Sequence, residues 1–428
     1  MCLIWTVAGT YLGSVSYILI LLGILALMSR GRYAEILLGL WIFLMFSDSH
    51  YEMFDFAKGF KPIYMSLLAF IVVAHRGVID TSNNLVFKIF LPFFIWAFLI
   101  LYDNPELFKS IQKSFSYAFL FFSVPVIMRY LFKARQAETL RTFYFIVVSY
   151  LALGLIMKYI NPEFAYLAGR FRGLMGNPNG LGVLVLIVAL FFDTVFRKVP
   201  EQFGRQEKVV FWIIIFANLL LSQSRSSLFA LILYLTFSNF NALKGFLGLL
   251  VFAAALFSYQ FVMNNLPVVI QALGLEEFFR LDTLEGGSGR LLAWTFAWEQ
   301  IQDNFFIGKG FNYTEWIFGA NYQMLANMGH QGNAHNSYLT FWLDMGLIGL
   351  IIYLVAFFLL FIRTAKVYSN TIPVMYAILF SVSFESWLTA SLNPFTIGLV
   401  MTISVMLYAR SDSMEDGVAS ETESQLVR

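Results

Sequence analysis

His335 and Asn336 stand where the longest polar stretch of a very apolar chain runs back into an apolar helix, in AHNSYLTFWLDMGLIGLIIYL. An imidazole at such a boundary, with an ordinary pKa of about 6.5, can take a proton from a hydroxyl near neutral pH. Its companions are cations: Arg170 and Arg172 around the start of GLMGNPNGLG, Arg225 inside SQSRSS, and Arg290 directly after GGSG. A guanidinium clamps phosphate oxygens through two parallel hydrogen bonds. Several cations with one imidazole suggest an anionic substrate handled by one general base. Each residue also has a plainer reading. Arg225 can snorkel to lipid headgroups, Arg290 can pair with Glu285 or Glu299, Arg170 and Arg172 can be ordinary loop cations, and His335 can cap a helix.

The elements that must position these groups follow from composition. With 428 residues, 59% hydrophobic, 18% aromatic, 13% charged and a mean hydropathy of +0.72, the chain lies outside the range of soluble domains. These numbers predict an all-α polytopic bundle of transmembrane helices, one integral membrane domain over residues 1–428 in contact with membrane lipids. A net charge of +2, with basic residues scattered between apolar runs, gives no footprint for nucleic acid. Cys2 is the only cysteine, which excludes an internal disulfide and a Cys-based metal site. The first basic residue, Arg30, follows the first apolar run instead of preceding it, so a cleavable signal is not expected.

Apolar segments near 9–28, 34–46, 62–74, 85–101, 115–131, 143–160, 181–196, 209–221, 228–240, 246–263, 337–362, 372–390 and 395–408 predict about twelve or thirteen spans, the second being short. If each crosses, Arg30, Arg32, Arg76, Lys133, Arg135, Arg141, Arg197, Lys198, Arg205, Lys208, Lys244, Arg363, Lys366 and Arg410 share one side, which the positive-inside rule makes cytoplasmic. The polar tail 411–428 is expected there, disordered. The loops 48–61 and 161–179, the SQSRSS turn and a large loop over 264–335 then face outward. Within that loop Leu291, Leu292, Trp294, Thr295, Trp298 and Ile301 predict an amphipathic helix along the membrane surface, entered through GGSG. GNPNG is turn chemistry before a helix, with Asn179 the expected N-cap.

Four stretches together carry a resemblance: GLMGNPNGLG at 173–182, SQSRSS at 222–227, GRLLAWTFAWEQIQDNFFIGKGFNY at 289–313, and HNSYLTFWLDMGLIGL at 335–350. In order and placement they resemble the bacterial O-antigen ligases and the related Wzy-type polysaccharide polymerases, over about the C-terminal 60% of the chain, with residues 161–363 as its core. The resemblance implies a GT-C-like, inverting, metal-independent glycosyltransferase, without a cofactor, in the bacterial inner membrane with its active site facing the periplasm. Its donor would be an undecaprenyl diphosphate-linked glycan, and its acceptor hydroxyl would belong to lipid A core or to a second lipid-linked repeat. Carried over position by position, the catalytic roles fall on Arg225, Arg290 and His335. Ser226 stands where a glycine often follows the arginine, a departure that bears on the acceptor. Arg170, Arg172, Asn336, Tyr338 and Trp342 are the expected substrate-binding side chains, the last three within helical reach of the base.

The remaining acids point elsewhere. Asp48, His50, Glu52 and Asp55 on the first outer loop allow a metal reading, but the plain reading is a solvated loop, and no metal is expected. Asp344 and Glu385 lie inside apolar segments, which makes both functional suspects. Asp344 is expected to pair within the bundle, and neither acid is assigned to catalysis. The alternative function is a transporter or flippase in which these two acids relay ions; the lack of visible inverted repeats or paired broken helices weighs against it.

Overall fold

The computed structural model describes residues 2–49, 51–75, 77, 79–81, 84–272, 290–330, 332–390 and 392–410. His50, Arg76, Glu285, the GGSG entry and the tail 411–428 lie outside the described residues, as does part of the large outer loop. The fold is an all-α helical bundle. The one sheet among the described residues is a hairpin of β1 (Tyr166–Leu167) and β2 (Arg170–Phe171), with Tyr166 opposite Phe171 and Leu167 opposite Arg170.

The helices follow the apolar segments. In chain order they are α1 (Cys2–Leu12), α2 (Ser16–Ser29), α3 (Tyr33–Ser47), α4 (Asp55–Ala74), α5 (Leu85–Leu99), α6 (Leu107–Ile160), the single turn α7 (Pro162–Ala165), α8 (Pro178–Lys198), α9 (Arg205–Ser222), α10 (Arg225–Asn239) and α11 (Phe246–Ala272). After the outer loop come α12 (Arg290–Asp303), α13 (Tyr313–Ala320), α14 (Tyr322–Asn327), α15 (Ser337–Ala365), α16 (Thr371–Val382) and α17 (Pro394–Tyr408). Among the described residues, six stretches are long and apolar enough to cross a membrane: Val7–Ser29, Glu52–Ala74, Leu85–Asp103, Leu107–Ile160, Pro178–Lys198 and Ser337–Ala365. Four shorter apolar helices accompany them, among them α3, α16 and α17.

Several boundaries differ from the expected ones, each for a local reason. The expected segments 115–131 and 143–160 are the two helical legs of α6, joined without an intervening loop, and Lys133, Arg135 and Arg141 stand around their junction. A break at Arg135, where φ is −155° and ψ 52°, divides α6 into these two legs. The expected span 372–390 ends as a helix at Val382; the chain then unwinds and forms only a short 3-10 turn over Trp387–Thr389.

α15 also contains a break, at Gly346 with φ 68° and ψ 175°. An unwound turn in an apolar bundle exposes backbone groups that must find partners. The segment 305–310 supplies them: Leu347 and Ile348 donate to the carbonyls of Phe305 and Phe306, and Gly310 donates to the carbonyl of Asp344 at 2.7 Å. The Trp96 indole donates to the Met345 carbonyl at 2.9 Å. A Cβ on Gly346 would lie 2.3 Å from the Phe306 oxygen, so only glycine fits. Broken helices were not expected from the sequence; this one is a docking slot for the FFIGKG stretch.

α8 sits at the centre, with nearly all of its length buried between α9, α10 and α17. Small residues let it approach α10: a Cβ on Gly182 would fall 2.3 Å from Ser224 Cβ. That contact accounts for the serines of SQSRSS as packing residues. Around this centre Trp41, Phe143 and Phe191 on one side and Phe90, Phe93, Tyr117 and Tyr353 on another fill the core with tilted and edge-to-face rings.

Candidate functional site

The N-termini of α8, α10, α15 and α17 each carry N–H groups that need acceptors and the positive end of a helix dipole. Asparagine caps three of them. Asn177, and not Asn179, caps α8 by accepting from Gly180 N at 2.7 Å, with Pro178 in the first helical position. Asn393 caps α17 through Phe395 N and Thr396 N. Asn336 caps α15 through Tyr338 N at 2.9 Å and Leu339 N at 3.1 Å, and its Nδ2 donates to the Ser383 carbonyl at 3.1 Å. Asn336 therefore fastens the start of α15 to the unwound end of α16.

That fastening brings Glu385 to His335. Oε2 of Glu385 lies 3.4 Å from His335 Nδ1, the long end of hydrogen-bond range, while Oε1 accepts from Arg290 Nη2 at 2.9 Å. The Glu385 backbone is held as well, since Ser337 Oγ donates to its carbonyl at 2.8 Å. Glu385 is 8% exposed and bridges the base candidate and a cation candidate in one line. A proton on Nδ1, facing the carboxylate, leaves the lone pair on Nε2. Gly332 keeps the Nε2 side clear: a Cβ there would sit 3.3 Å from Nε2, and its φ of +127° disfavours any other residue.

Arg225 opens α10 directly after a turn in which Gln223 is left-handed, with φ 52°. Arg170 holds that turn, donating to the carbonyls of Ser222 and Gln223 and to Asn179 Oδ1 at 2.8 Å. The Arg225 guanidinium has no hydrogen-bond acceptor among the described residues, and it lies within electrostatic reach of Arg290 and of Tyr259. Tyr259, on α11, is 3% exposed and packs its ring on Phe384 at 4.4 Å and Phe380 at 5.0 Å, within reach of Glu385 as well. Arg290 is thus paired with Glu385, and the Arg225 guanidinium stands near Arg290. Like charges held together in a poorly solvated place carry an electrostatic cost that an anionic ligand would relieve.

The other sequence candidates are placed differently. Arg172 is buried, and its donors go to the Phe164 and Gly176 carbonyls and to the Tyr51 hydroxyl, over whose ring it also stacks. It shapes the 161–177 loop and stands apart from the Arg290, Glu385 and His335 line. Tyr338 donates its hydroxyl to the Leu379 carbonyl at 3.1 Å, and the Trp342 indole donates to the Phe305 carbonyl at 2.9 Å. Both brace α15 against its neighbours. Asp344 accepts from the backbone and hydroxyl of Thr314, each at 2.8 Å, which is a pairing within the bundle. On α12 the buried stripe is Ala293, Phe296, Ala297 and Ile301, packed on Phe318 and Leu343, whereas Leu291 and Trp298 are exposed. The expected amphipathic face is rotated, because α12 packs on α15.

His330 completes the surroundings. It is buried, its ring meets that of His335 edge-on at 5.8 Å, and its Nε2 faces the Asn333 carbonyl at 3.1 Å. Burial pushes the His330 imidazole below its ordinary pKa, the nearby His335 adds to this, and the Asn333 contact opposes it. Among the described residues no three His, Cys, Asp or Glu side chains gather in a metal-ligating cluster. Glu385 and Tyr259 are the site residues that sequence reasoning did not assign.

Residues 209–354, running from α9 into α15, match the family model of O-antigen ligase. The matched stretch contains Arg225, Tyr259, Arg290 and His335 and ends before Glu385. The match supports an O-antigen ligase family assignment, with a role in O-antigen or polysaccharide biosynthesis. No curated protein matches the chain.

Proposed function

We propose that this chain is an inverting membrane glycosyltransferase that moves a glycan from undecaprenyl diphosphate to an acceptor hydroxyl at the periplasmic face of the bacterial inner membrane, as an O-antigen ligase or repeat-unit polymerase. The observation that carries the proposal is the line Arg290, Glu385, His335, with Arg225 near Arg290 and without a carboxylate partner among the described residues.

In this reading the acceptor oxygen attacks the anomeric carbon, the carbon–oxygen bond to phosphate breaks, and the electron pair leaves on the diphosphate. His335 Nε2 takes the acceptor proton. Negative charge grows on the leaving diphosphate, so Arg225 and Arg290 stabilise the transition state more than the ground state. Glu385 orients His335 through Nδ1, favours the imidazolium that forms, and holds Arg290 in place. In-line displacement inverts the anomeric centre. The break in α15 is the feature that a transporter reading would use; Phe305, Phe306, Gly310 and Trp96 close its freed backbone groups, so it offers no coordinating backbone to a passing ion.

The test is to incubate purified protein with an undecaprenyl diphosphate-linked glycan and either lipid A core or excess lipid-linked repeat. A single ligated product or a ladder, with release of undecaprenyl diphosphate, is the expected result and separates ligase from polymerase. No release under either condition, with the lipid-linked glycan moved intact across vesicles, would replace this reading with transport.

A further inference from the structure

Asn333 lies where the segment carrying His335 meets the segment carrying Glu385, and the chemistry above makes no use of it. Its Oδ1 accepts the backbone N–H of His335 at 3.0 Å and the hydroxyl of Ser386, the residue after Glu385, at 2.8 Å. Its carbonyl takes the contact from His330 Nε2 at 3.1 Å. His335 itself holds φ at 45°, a left-handed conformation that a non-glycine residue keeps only when its surroundings compensate for it. Asn336 ties the following residue to Ser383. The strained histidine is thus bracketed by two asparagines, each anchored to the same unwound stretch, 383–386.

We infer that Asn333 is a positioning residue for the proton acceptor: its single amide oxygen joins the backbone of His335 to the Glu385 segment and so fixes the approach of imidazole and carboxylate. The inference rests on reading His335 as the base. Both acceptor sites of Oδ1 are used, while Nδ2 makes no hydrogen bond among the described residues. An aspartate at this position therefore keeps both bonds, and an alanine loses both. The side chain is exposed, so its removal buries no unpaired group and leaves folding intact.

The experiment compares full-length wild type with Asn333→Ala, Asn333→Asp, Ser386→Ala and His335→Ala, using undecaprenyl diphosphate release to obtain kcat and donor KM, with thermal melts as a folding check. Asn333→Ala should lower kcat by roughly ten- to a hundredfold, the scale of a misplacement near 1 Å, with donor KM changed by no more than about twofold. Ser386→Ala, which removes one of the two bonds, should fall between. Asn333→Asp, which keeps both hydrogen bonds, should restore most of kcat. A wild-type kcat for a folded Asn333→Ala, or a loss that aspartate does not restore, overturns the inference. Near-wild-type transfer by His335→Ala overturns the base assignment and this inference with it, whereas an inactive His335→Ala beside an unimpaired Asn333→Ala overturns the inference alone.

Discussion

Arg290 Nη2 meets Glu385 Oε1 at 2.9 Å, across 95 residues of chain and between a helix of the outer loop and the unwound end of an apolar one. The pair joins the outer loop to the bundle at the point where the other carboxylate oxygen faces His335. Loop, bundle and His335 therefore share one carboxylate, and disturbing it should be felt in all three.

Glu385→Gln keeps the shape and removes the charge. It should lower kcat on the order of tenfold or more, because the imidazolium formed during transfer loses its counter-charge. A wild-type kcat for folded Glu385→Gln would show that the carboxylate charge does not act on His335.

Arg225 has no protein acceptor among the described residues, so its removal should leave the fold alone and reach the chemistry. Arg225→Ala is expected to cost about 10²-fold in kcat/KM, the scale of one lost charge-stabilising donor. Arg225→Lys should recover only part of this, since ammonium lacks the planar fork. Melting temperatures equal to wild type should accompany both; a strongly destabilised Arg225→Ala would make it a structural residue.

Gly346→Ala tests the docking slot in α15. The backbone conformation is essentially glycine-only and costs of the order of 1–3 kcal/mol for other residues, and the new Cβ would meet the Phe306 oxygen at 2.3 Å. The variant should lose thermal stability and should loosen the segment 305–310, measured as faster amide exchange there. Wild-type stability would mean that the break is not held by this contact.

His330 gives a local pH dependence. Its imidazole is held below the ordinary value by burial, so the folded loop takes up a proton less readily than the unfolded one. Its neutral, buried form is favoured above about pH 6.5 and the loop weakens as pH falls below that value. The protection factors of amides over 328–336, corrected for the intrinsic pH dependence of exchange, should fall between pH 7 and pH 5, and His330→Gln should flatten the change.

Much of this architecture was legible in the residues. Long apolar runs specified the helices, and His335, Arg225 and Arg290 stood out as polar groups at apolar boundaries. The arginine that shapes a loop looked the same in sequence as one left without a protein acceptor: nothing in the neighbourhood of Arg172 announces the Phe164 and Gly176 carbonyls that occupy it. Glu385 was visible as an acid in an apolar stretch, yet no glycine or proline marks the unwinding after Val382 that turns it toward His335. Gly346 sits in a run of good helix formers, and its break exists only because 305–310 docks there, a contact between segments that local pattern does not encode. The choice between Asn177 and Asn179 was settled by Arg170, which takes the second asparagine as its own acceptor.

His335 as the proton acceptor is the central assignment. The decisive measurement is the single-turnover rate of glycan transfer by folded His335→Gln, with donor affinity measured separately on the same protein. A fall of about 10²- to 10⁴-fold in rate with donor binding retained is the predicted result; transfer at close to the wild-type rate would contradict it.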